Sequence, residues 1–421
     1  MATLTGDTNE ARRSLLKALA FVAAASPVAA QVVSPSGSGT DERWQKIAAE
    51  FPRSAELLNL NNAAVSPQPR AVQEAMWKAY RYANEIPDVN MWDILDAVRP
   101  RIKEKLAKLV DCDPKEVALN RNSTEGLCTA IFGIELKAGD EVVLCEWDYE
   151  TMRNAWEQRA RREGIKIVKA QFDLLASDEE IIAAYRRVLT ARTKVLHVTH
   201  VVHYTGRVIP VETLCSIARE RGIQTIVDAA QSFAQMPVSF RRIGCDYLAA
   251  SLHKWLCAPF GTGMLIVREP RQTQLWPLIA SYLDAPRGMD RFDAGSQATY
   301  SSAAETAIEP AIDFHNEIGT KEIQARLQYL TRYWTERAKD IRGFRLHTPV
   351  HGSGTNALAL FSLEGKKVEE VEKELQHKHG IRVRYRKQGG LAGLRVSPHM
   401  YTSTADLDRF VTAVRSVASS A

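Results

Sequence analysis

The sequence predicts an α/β protein, with a large domain whose mainly parallel sheet is covered by helices and a smaller α+β domain after it. Short β-branched segments alternate with amphipathic segments over most of the chain, which is typical of a parallel sheet with helices on both faces. From about Thr306 onward, longer polar helical patterns replace that alternation. The length of 421 residues also exceeds one ordinary domain, so we expect two.

Residues 1–30 have the pattern of an export signal. Arg12-Arg13 precede a weakly apolar run that ends at Ala30, among small residues of the kind that signal peptidase accepts. The twin arginines are typical of a Tat signal, so we expect the Tat export machinery as a partner and a periplasmic location. The alternative is a disordered tail with a chance arginine pair, which leaves the protein cytoplasmic. The run is too short for a membrane span, and no later stretch approaches the roughly 20 apolar residues that a spanning helix needs.

The rest of the chain divides where its composition shifts. Residues 31–40 are rich in Ser, Gly and Pro, which is typical of a flexible linker. Residues 41–80 are predicted to form an N-terminal segment that packs with the small domain. Residues 81–300 are assigned to the large domain, and residues 301–421 to the small domain.

Charge and cysteine content exclude some functions. The net charge of +5 is modest and no block of like charges stands out, so neither a nucleic-acid partner nor a membrane surface is expected. The six cysteines include no CxxC pair and no cluster with histidines, so we expect no metal site.

The elements are predicted in a regular order. In the large domain the helices span Arg99–Leu109, Ser123–Ile134, Tyr149–Arg162 and Val211–Arg221, and the strands span Glu141–Cys145, Ile165–Val168, Lys194–Val198, Ile223–Val227, Tyr247–Ala250 and Gly263–Val267. In the small domain, a long helix from Thr306 through Lys339 precedes a strand at Ala357–Leu363 and a helix at Lys366–His379. Ligands of open α/β sheets bind at the carboxyl ends of the strands, so polar residues there are the candidates for a site.

Two charged residues follow apolar strands. Asp228 ends one strand, and Lys254 follows another among apolar and aromatic neighbours. A partly buried carboxylate suits pairing with a protonated ring nitrogen of a cofactor, and desolvation lowers the pKa of a lysine so that it serves as a nucleophilic amine. Each residue taken alone also has an ordinary alternative, in which Asp228 caps a turn and Lys254 is a solvated surface charge.

A third motif, Asn122–Gly126, opens an amphipathic helix. Backbone N–H groups of the first turn, with the hydroxyls of Ser123 and Thr124 beside them, form a natural phosphate site. An ordinary helix cap is the alternative. The three motifs together are more specific than any one of them.

With its motifs in this order, the sequence resembles the class V aminotransferase family of pyridoxal 5'-phosphate (PLP) enzymes, fold type I. Within that family it is similar to the isopenicillin N epimerase-like branch, which includes relatives of the cysteine desulfurases. The resemblance runs from about Leu58 to Val411 and includes the segments Leu60–Ala64 and Leu394–Tyr401. It implies that PLP is the cofactor and that the chain forms a homodimer with shared active sites.

The resemblance also implies how the cofactor is bound. Lys254 carries PLP as a Schiff base, Asp228 meets the pyridine nitrogen, and Gln231 hydrogen-bonds the ring hydroxyl. The phosphate is shared by four residues, Ser123, Thr124, Ser251 and His253.

Further residues complete the implied site. Tyr149 stacks on the cofactor ring, with Trp147 as the alternative after a small shift of register. Ser296 reaches the phosphate in the neighbouring subunit. Arg395 and Asn61 bind the substrate, and the Arg395 guanidinium grips the α-carboxylate through two parallel hydrogen bonds; for Arg395 a surface salt bridge is the alternative. Four more residues either shape the substrate pocket or pack, namely Trp255, Tyr282, Arg384 and Tyr385.

The chain departs from the family pattern at three points. Where many relatives place an asparagine against the cofactor ring, this chain has His200. Either His200 hydrogen-bonds the ring hydroxyl as a neutral group, or His200 or His203 acts as an extra acid or base. Ser296 stands in Gly-Ser-Gln, where Gly-Thr is commoner. Desulfurases need a mobile cysteine in the C-terminal half, but none follows Cys257, so that activity is not expected.

We therefore expect a PLP-dependent enzyme acting at the α-carbon or amino group of an amino acid or peptide-borne amine, as an aminotransferase or epimerase. The resemblance extends to exported proteins that modify siderophores, which favours a secondary-metabolite role in the periplasm. One alternative is a PLP-dependent C–S lyase for cysteine conjugates. The other is a non-catalytic sensor or scaffold, although a scaffold has no need for the set Lys254, Asp228, Gln231 and Arg395.

Overall fold

The computed structural model describes residues 39–280, 288–349 and 356–420. The predicted export signal, the linker up to residue 38 and Tyr282 lie outside the described residues. Within the described ranges, no helix combines the length and the apolar character that crossing a membrane requires.

Thirteen strands form three sheets within the described ranges. In chain order they are β1 (Leu58–Asn59), β2 (Val117–Asn120), β3 (Glu141–Cys145), β4 (Lys166–Ala170), β5 (Thr193–Thr199), β6 (Gln224–Asp228), β7 (Tyr247–Ser251), β8 (Gly263–Val267), β9 (Phe344–Leu346), β10 (Ala359–Leu363), β11 (Ile381–Arg382), β12 (Arg384–Gln388) and β13 (Leu391–Val396). The largest sheet has seven strands in the order β2-β8-β7-β6-β5-β3-β4. Its neighbours from β7 to β4 are parallel, and only β8 runs against the others. The predicted α/β fold class with a mainly parallel sheet is confirmed.

Helices connect and cover the strands. They are α1 (Gly39–Ala49), α2 (Arg70–Ala83), α3 (Arg99–Val110), α4 (Ser123–Gly133), α5 (Glu150–Glu163), α6 (Asp178–Val188), α7 (Val211–Glu220), α8 (Phe240–Ile243), α9 (Glu269–Gln272), α10 (Ala294–Gln297), α11 (Ser302–Thr306), α12 (Ile308–Ile318), α13 (Thr320–Ala338), α14 (Val368–His379) and α15 (Thr404–Ser419). A π-helical turn, Val89–Leu95, follows α2.

Local sequence explains why the central elements form where they do. Strands β3, β7 and β8 are buried at every position, as apolar segments covered on both faces must be. Helix α4 packs closely on the sheet because Gly126 has no side chain. A Cβ at Gly126 would come within 2.8 Å of the Asn120 side chain and 2.9 Å of the Ala249 side chain.

The C-terminal part has its own core. An antiparallel sheet in the order β12-β13-β10-β9 packs with α13, α14 and α15 around a cluster that includes Trp334, Phe361 and Phe410. Strand β1, from the beginning of the described chain, pairs in parallel with β11. Leu58 and Asn59 thus pair with a strand of the C-terminal part, although the strands of the large sheet lie between them and that part in the sequence.

The prediction of one helix from Thr306 through Lys339 is wrong. The segment contains α12 and α13, and α11 ends at its first residue, Thr306. Gly319, which separates α12 from α13, has a φ of +93°, a conformation that interrupts a right-handed helix and that glycine adopts without strain. Strand β2 was not predicted either, because four buried residues are too few to show a period.

Candidate active site

A cavity of about 280 Å³ opens at the carboxyl ends of the central parallel strands. Strand β6 ends at Asp228 and strand β7 ends at Ser251, three residues before Lys254. All three residues line the cavity. The parallel sheet therefore brings together the motifs that the sequence separates, at the edge where such folds bind ligands.

Lys254 lies on the cavity wall and is partly buried. Burial lowers the pKa of Lys254 to about 8, the Asp228 carboxylate opposes that change, and the guanidiniums of Arg395 and Arg386 add to it. A lysine with this pKa is neutral in a substantial fraction of molecules near neutral pH. It is therefore suited to act as a nucleophile and as a proton acceptor.

Asp228 and Gln231 are both buried and both reach the cavity. One oxygen of Asp228 accepts a hydrogen bond from the backbone N–H of Ala230 at 2.8 Å. Burial raises the pKa of Asp228, while this hydrogen bond and the charge of Lys254 lower it. The Gln231 amide is fixed at both ends, because Nε2 donates to the carbonyl of Ala63 at 2.9 Å and Oε1 accepts from Trp255 at 3.0 Å.

The other end of the cavity is rich in hydroxyl groups and backbone N–H groups. Helix α4 begins at Ser123, and the side chain of Asn122 caps it by accepting from the N–H of Glu125 at 2.9 Å. The hydroxyls of Ser123 and Ser251 are 2.9 Å apart, and Thr124 also lines the cavity. A helix N-terminus flanked by three hydroxyls is well suited to bind a phosphate.

His253 belongs to the same end of the cavity. Its Nδ1 lies 3.0 Å from the carbonyl of Thr262, which holds the ring in place and leaves Nε2 for another partner. Burial lowers the pKa of His253, and the nearby Lys254 lowers it further. The structure thus gathers the four residues that were predicted to share the phosphate, Ser123, Thr124, Ser251 and His253.

The aromatic wall consists of Tyr149 and His203. Their rings are 5.2 Å apart and nearly perpendicular, and both residues line the cavity. Burial lowers the pKa of His203 well below its ordinary value, and Arg395 and Arg386 add to the effect, so His203 is neutral. Trp147 is placed elsewhere, with its indole nitrogen donating to the carbonyl of Phe172 at 3.2 Å.

His200 lies outside the cavity lining, although it was predicted to contact the cofactor. Its backbone N–H donates to the carbonyl of Asp228 at 2.9 Å, so it links the ends of β5 and β6. Burial lowers the pKa of His200 to about 4, and the charge that contributes to this is that of Arg242, which is not part of the cavity. The backbone turn after β5 brings the ring of His203, rather than that of His200, to the cavity.

Arg395 is fully buried, and its guanidinium is held on the cavity wall. One terminal nitrogen donates to the carbonyl of His203 at 2.9 Å, and the other donates to Oδ1 of Asn61 at 2.8 Å. Asn61 does not line the cavity itself, so its contact with a ligand is indirect through Arg395. This arrangement aims a rigid cation into the cavity, as recognition of a carboxylate requires.

Arg386 and Ser296 lie in places that the sequence alone does not reveal. Arg386 lines the cavity, although its neighbours Arg384 and Tyr385 were the residues predicted there. Ser296 lies in the short helix α10, outside the cavity of its own chain, and its predicted contact with a neighbouring subunit stays a prediction.

The residues present fit PLP. Among the described residues that line the cavity, Asp228 is the only carboxylate, whereas Lys254, Arg386 and Arg395 are cations. Such a cavity favours an anionic ligand with a phosphate group. The start of α4 would hold that phosphate, Lys254 would hold the aldehyde carbon, and Asp228 would hold the ring nitrogen.

The fold and this cavity together define an α/β enzyme that depends on PLP. The chain belongs to the class V aminotransferase family, whose family model matches residues 58–410. Isopenicillin N epimerase of Streptomyces clavuligerus is 29% identical over 387 residues, which cover 88% of this chain and 97% of the epimerase. A probable cysteine desulfurase of Synechocystis sp. is 28% identical over 385 residues, with 84% of this chain and 89% of the relative covered.

A solved structure shows the same fold. The cystine C–S lyase C-DES, in complex with its reaction product cysteine persulfide, matches with a TM-score of 0.78 at 19% identity, over 86% of this chain and 98% of the lyase. The chain is therefore similar to an epimerase and to enzymes that act on sulfur. These similarities support PLP as the cofactor without selecting one reaction.

Proposed function

We propose that this protein removes the α-proton of an amino acid or of a peptide-borne amine and then completes an amino transfer or an epimerisation. The observation that carries the proposal is Lys254, whose burial lowers its pKa to about 8 in a cavity that it shares with Asp228 and Arg395. A lysine that is readily neutral is suited to accept a proton, and Arg395 is suited to hold the carboxylate beside it.

Each residue has a distinct part in this chemistry. Arg395 binds the α-carboxylate and so fixes which bond at the α-carbon faces Lys254. Lys254 accepts the α-proton at Nζ. Delivery of a proton to another position completes amino transfer, whereas protonation of the opposite face of the α-carbon completes epimerisation. Asp228 keeps a proton on the ring nitrogen, and Gln231 and the start of α4 keep the ring in place. Bound PLP supplies an electron-withdrawing ring that delocalises the electron pair left at the α-carbon.

The first test is exchange of the α-proton in heavy water. The PLP-loaded protein is incubated with a panel of amino acids, and loss of the α-proton signal is followed by nuclear magnetic resonance. Light scattering of the same sample checks the proposed homodimer. We expect exchange with at least one amino acid, accompanied by racemisation or, when a keto acid is added, by amino transfer. A loaded protein that exchanges no α-proton from any member of the panel would contradict the proposal.

A C–S lyase is the second candidate, supported by the similarity to C-DES and to cysteine desulfurases. It uses the same α-proton removal but then loses a sulfur group from the β-carbon. Release of pyruvate and ammonia from cysteine conjugates identifies this reaction. None of the six cysteines lines the described cavity, so a lyase here would release sulfur without an enzyme persulfide.

We also propose that Tat export delivers the protein to the periplasm, where it modifies a secondary metabolite such as a siderophore. The Arg12-Arg13 pair supports this, because Tat signals carry two arginines. We expect the full chain, expressed in a Tat-competent bacterium, to appear in the periplasm shortened by about 30 residues. Replacing both arginines by lysine is expected to retain the full-length protein in the cytoplasm. Unchanged periplasmic delivery of that variant would contradict the Tat route.

A further inference from the structure

Arg386 is a cation on the cavity wall with no partner among the described residues. Its Nε is buried without a hydrogen bond, and no hydrogen bond or ion pair joins its guanidinium to any described side chain. Burial lowers the pKa of Arg386, and the neighbouring Arg384 lowers it further. A guanidinium in such a place is costly unless something neutralises it.

Strand register places Arg386 beside Arg395. In the antiparallel pair β12–β13, Arg384 lies opposite Arg395, and Arg386 lies opposite Gly393. Arg384, Arg386 and Arg395 therefore point to one face of the sheet, because side chains two residues apart along a strand share a face. Diagonal neighbours of this kind have α-carbons about 7–8 Å apart, so two guanidiniums can engage two ends of one small ligand.

The groups near Arg386 do not neutralise it. The pKa of Tyr204 is raised by burial, so this phenol stays neutral, and its hydroxyl already donates to the carbonyl of Lys387 at 2.9 Å. Glu372 accepts from the backbone N–H of Tyr385 at 3.0 Å and lies 3.9 Å from Arg382, so it has other partners. Tyr149, the other neighbour, is a phenol and offers Arg386 no carboxylate.

The expected ligands leave Arg386 without an anion as well. The cofactor phosphate is expected to bind at the end of the cavity formed by Ser123 and Ser251, and Asp228 is expected to pair with the ring nitrogen of the cofactor. The α-carboxylate of the substrate belongs to Arg395, which is already held in place by Asn61. One positive charge of the cavity wall thus has no counterpart in an amino acid with a neutral side chain.

We propose that Arg386 binds a second carboxylate of the substrate, so that this enzyme acts on amino-group substrates with an acidic side chain. The proposal rests on the proposed function and names its substrate class. Arg395 holds the α-carboxylate, Arg386 holds the distant one, and the amino group lies towards Lys254. A planar guanidinium that forms two parallel hydrogen bonds to a carboxylate selects such a group over an amide of the same shape.

The test uses probes that cannot react. Calorimetry measures binding of succinate, glutarate and adipate to the PLP-loaded protein, and of butyrate, valerate and hexanoate as the monocarboxylates of matching length. In the loaded protein Lys254 is attached to the cofactor, so its amino group does not compete with Arg386 and Arg395 for the carboxylates of the probe. We expect at least one dicarboxylate to bind about 10-fold or more tightly than its monocarboxylate counterpart, as a charge-assisted contact provides.

Variants assign that preference to a residue. Arg386→Gln is expected to remove the preference for dicarboxylates. Arg386→Lys is expected to retain only part of it, since lysine keeps the charge but cannot form two parallel hydrogen bonds to one carboxylate. Arg384→Gln removes the same charge from an exposed position on the same strand and is expected to leave the preference intact. Equal binding of both probe classes by the unmodified protein, or a preference that survives in both Arg386 variants, would overturn the inference.

The outcome is separable from that of the proposed function. Dicarboxylate preference without any α-proton exchange would support the Arg386 site and contradict the enzyme reaction. Exchange that is as fast with glutamine as with glutamate would support the reaction and overturn the assignment of Arg386. Circular dichroism and the absorbance of the bound cofactor show whether each variant is folded and loaded.

Discussion

Lys254→Ala is expected to lower turnover by about 10⁴-fold or more and to leave no cofactor covalently attached to the protein. Lys254 is the only lysine among the described residues that line the cavity, so no other amine is in place for attachment or for proton transfer. The fold is expected to persist. Burial lowers the pKa of Lys254, which means that the site disfavours the charge that alanine removes.

Mass spectrometry after borohydride reduction measures the attachment directly. Reduction fixes the cofactor on its lysine, and the modified peptide of the unmodified protein is expected to contain Lys254. Lys254→Arg is the matched control, because arginine keeps the positive charge beside Asp228 but cannot form the bond. Both variants are expected to bind PLP reversibly at most. A modified peptide from another part of the chain would refute this role of Lys254.

The pH dependence of attachment follows from the same environment. Only the neutral amine attacks a carbonyl carbon, and the neutral fraction of Lys254 rises with pH through its lowered pKa of about 8 instead of the ordinary 10.5. The rate of PLP attachment to the apoprotein is therefore expected to rise with a midpoint near that pH. In Asp228→Asn the carboxylate that raises this pKa is gone, so the midpoint is expected to move to lower pH.

The sequence alone predicts the parts of the site that lie on regular elements. Asp228 and Ser251 end buried strands, and Ser123 opens a helix, so the pattern of each element places the residue at one edge of the sheet. Lys254 follows the strand that ends at Ser251 by three residues, which is too short a connection to carry it away. The end of a regular element fixes the position of Asp228, Ser251 and Ser123, and the short connection fixes that of Lys254.

The parts that the sequence alone does not predict depend on tertiary contacts. His200 and His203 lie in an irregular turn after β5, where no periodicity tells which ring faces the cavity. Arg386 shares a face with Arg395 only through the register of β12 on β13, and register is set by cross-strand packing and not by the strand's own sequence. Arg384 and Arg386 are two residues apart along β12, so the alternation of side chains places both on the same face. It does not tell that Arg384 is exposed and that Arg386 lines the cavity.

Asp228→Asn is expected to lower kcat by about 10²–10³-fold while the fold and the attachment of PLP to Lys254 persist. The structural contact of Asp228 is the hydrogen bond that it accepts from Ala230 at 2.8 Å, and the amide oxygen of asparagine accepts it equally. What asparagine lacks is the negative charge that keeps a proton on the ring nitrogen of the cofactor. Steady-state kinetics and thermal unfolding of the same preparation separate the two contributions.

Asp148→Asn is the matched control, because Asp148 is a second buried carboxylate at the same edge of the sheet. Its oxygens accept from the backbone N–H of Cys145 at 2.6 Å and from the N–H and hydroxyl of Thr199 at 2.9 and 2.7 Å, so it joins β3 to β5. In Asp148→Asn the NH₂ group of the amide replaces one oxygen that accepts a hydrogen bond, so two donors face each other. We therefore expect the free energy of unfolding to fall by about 1–3 kcal/mol. If Asp228→Asn instead lost stability and kept its turnover, Asp228 would be the turn cap that an aspartate after a strand ordinarily is. The pair of variants therefore distinguishes a carboxylate that serves the cofactor from one that serves the fold.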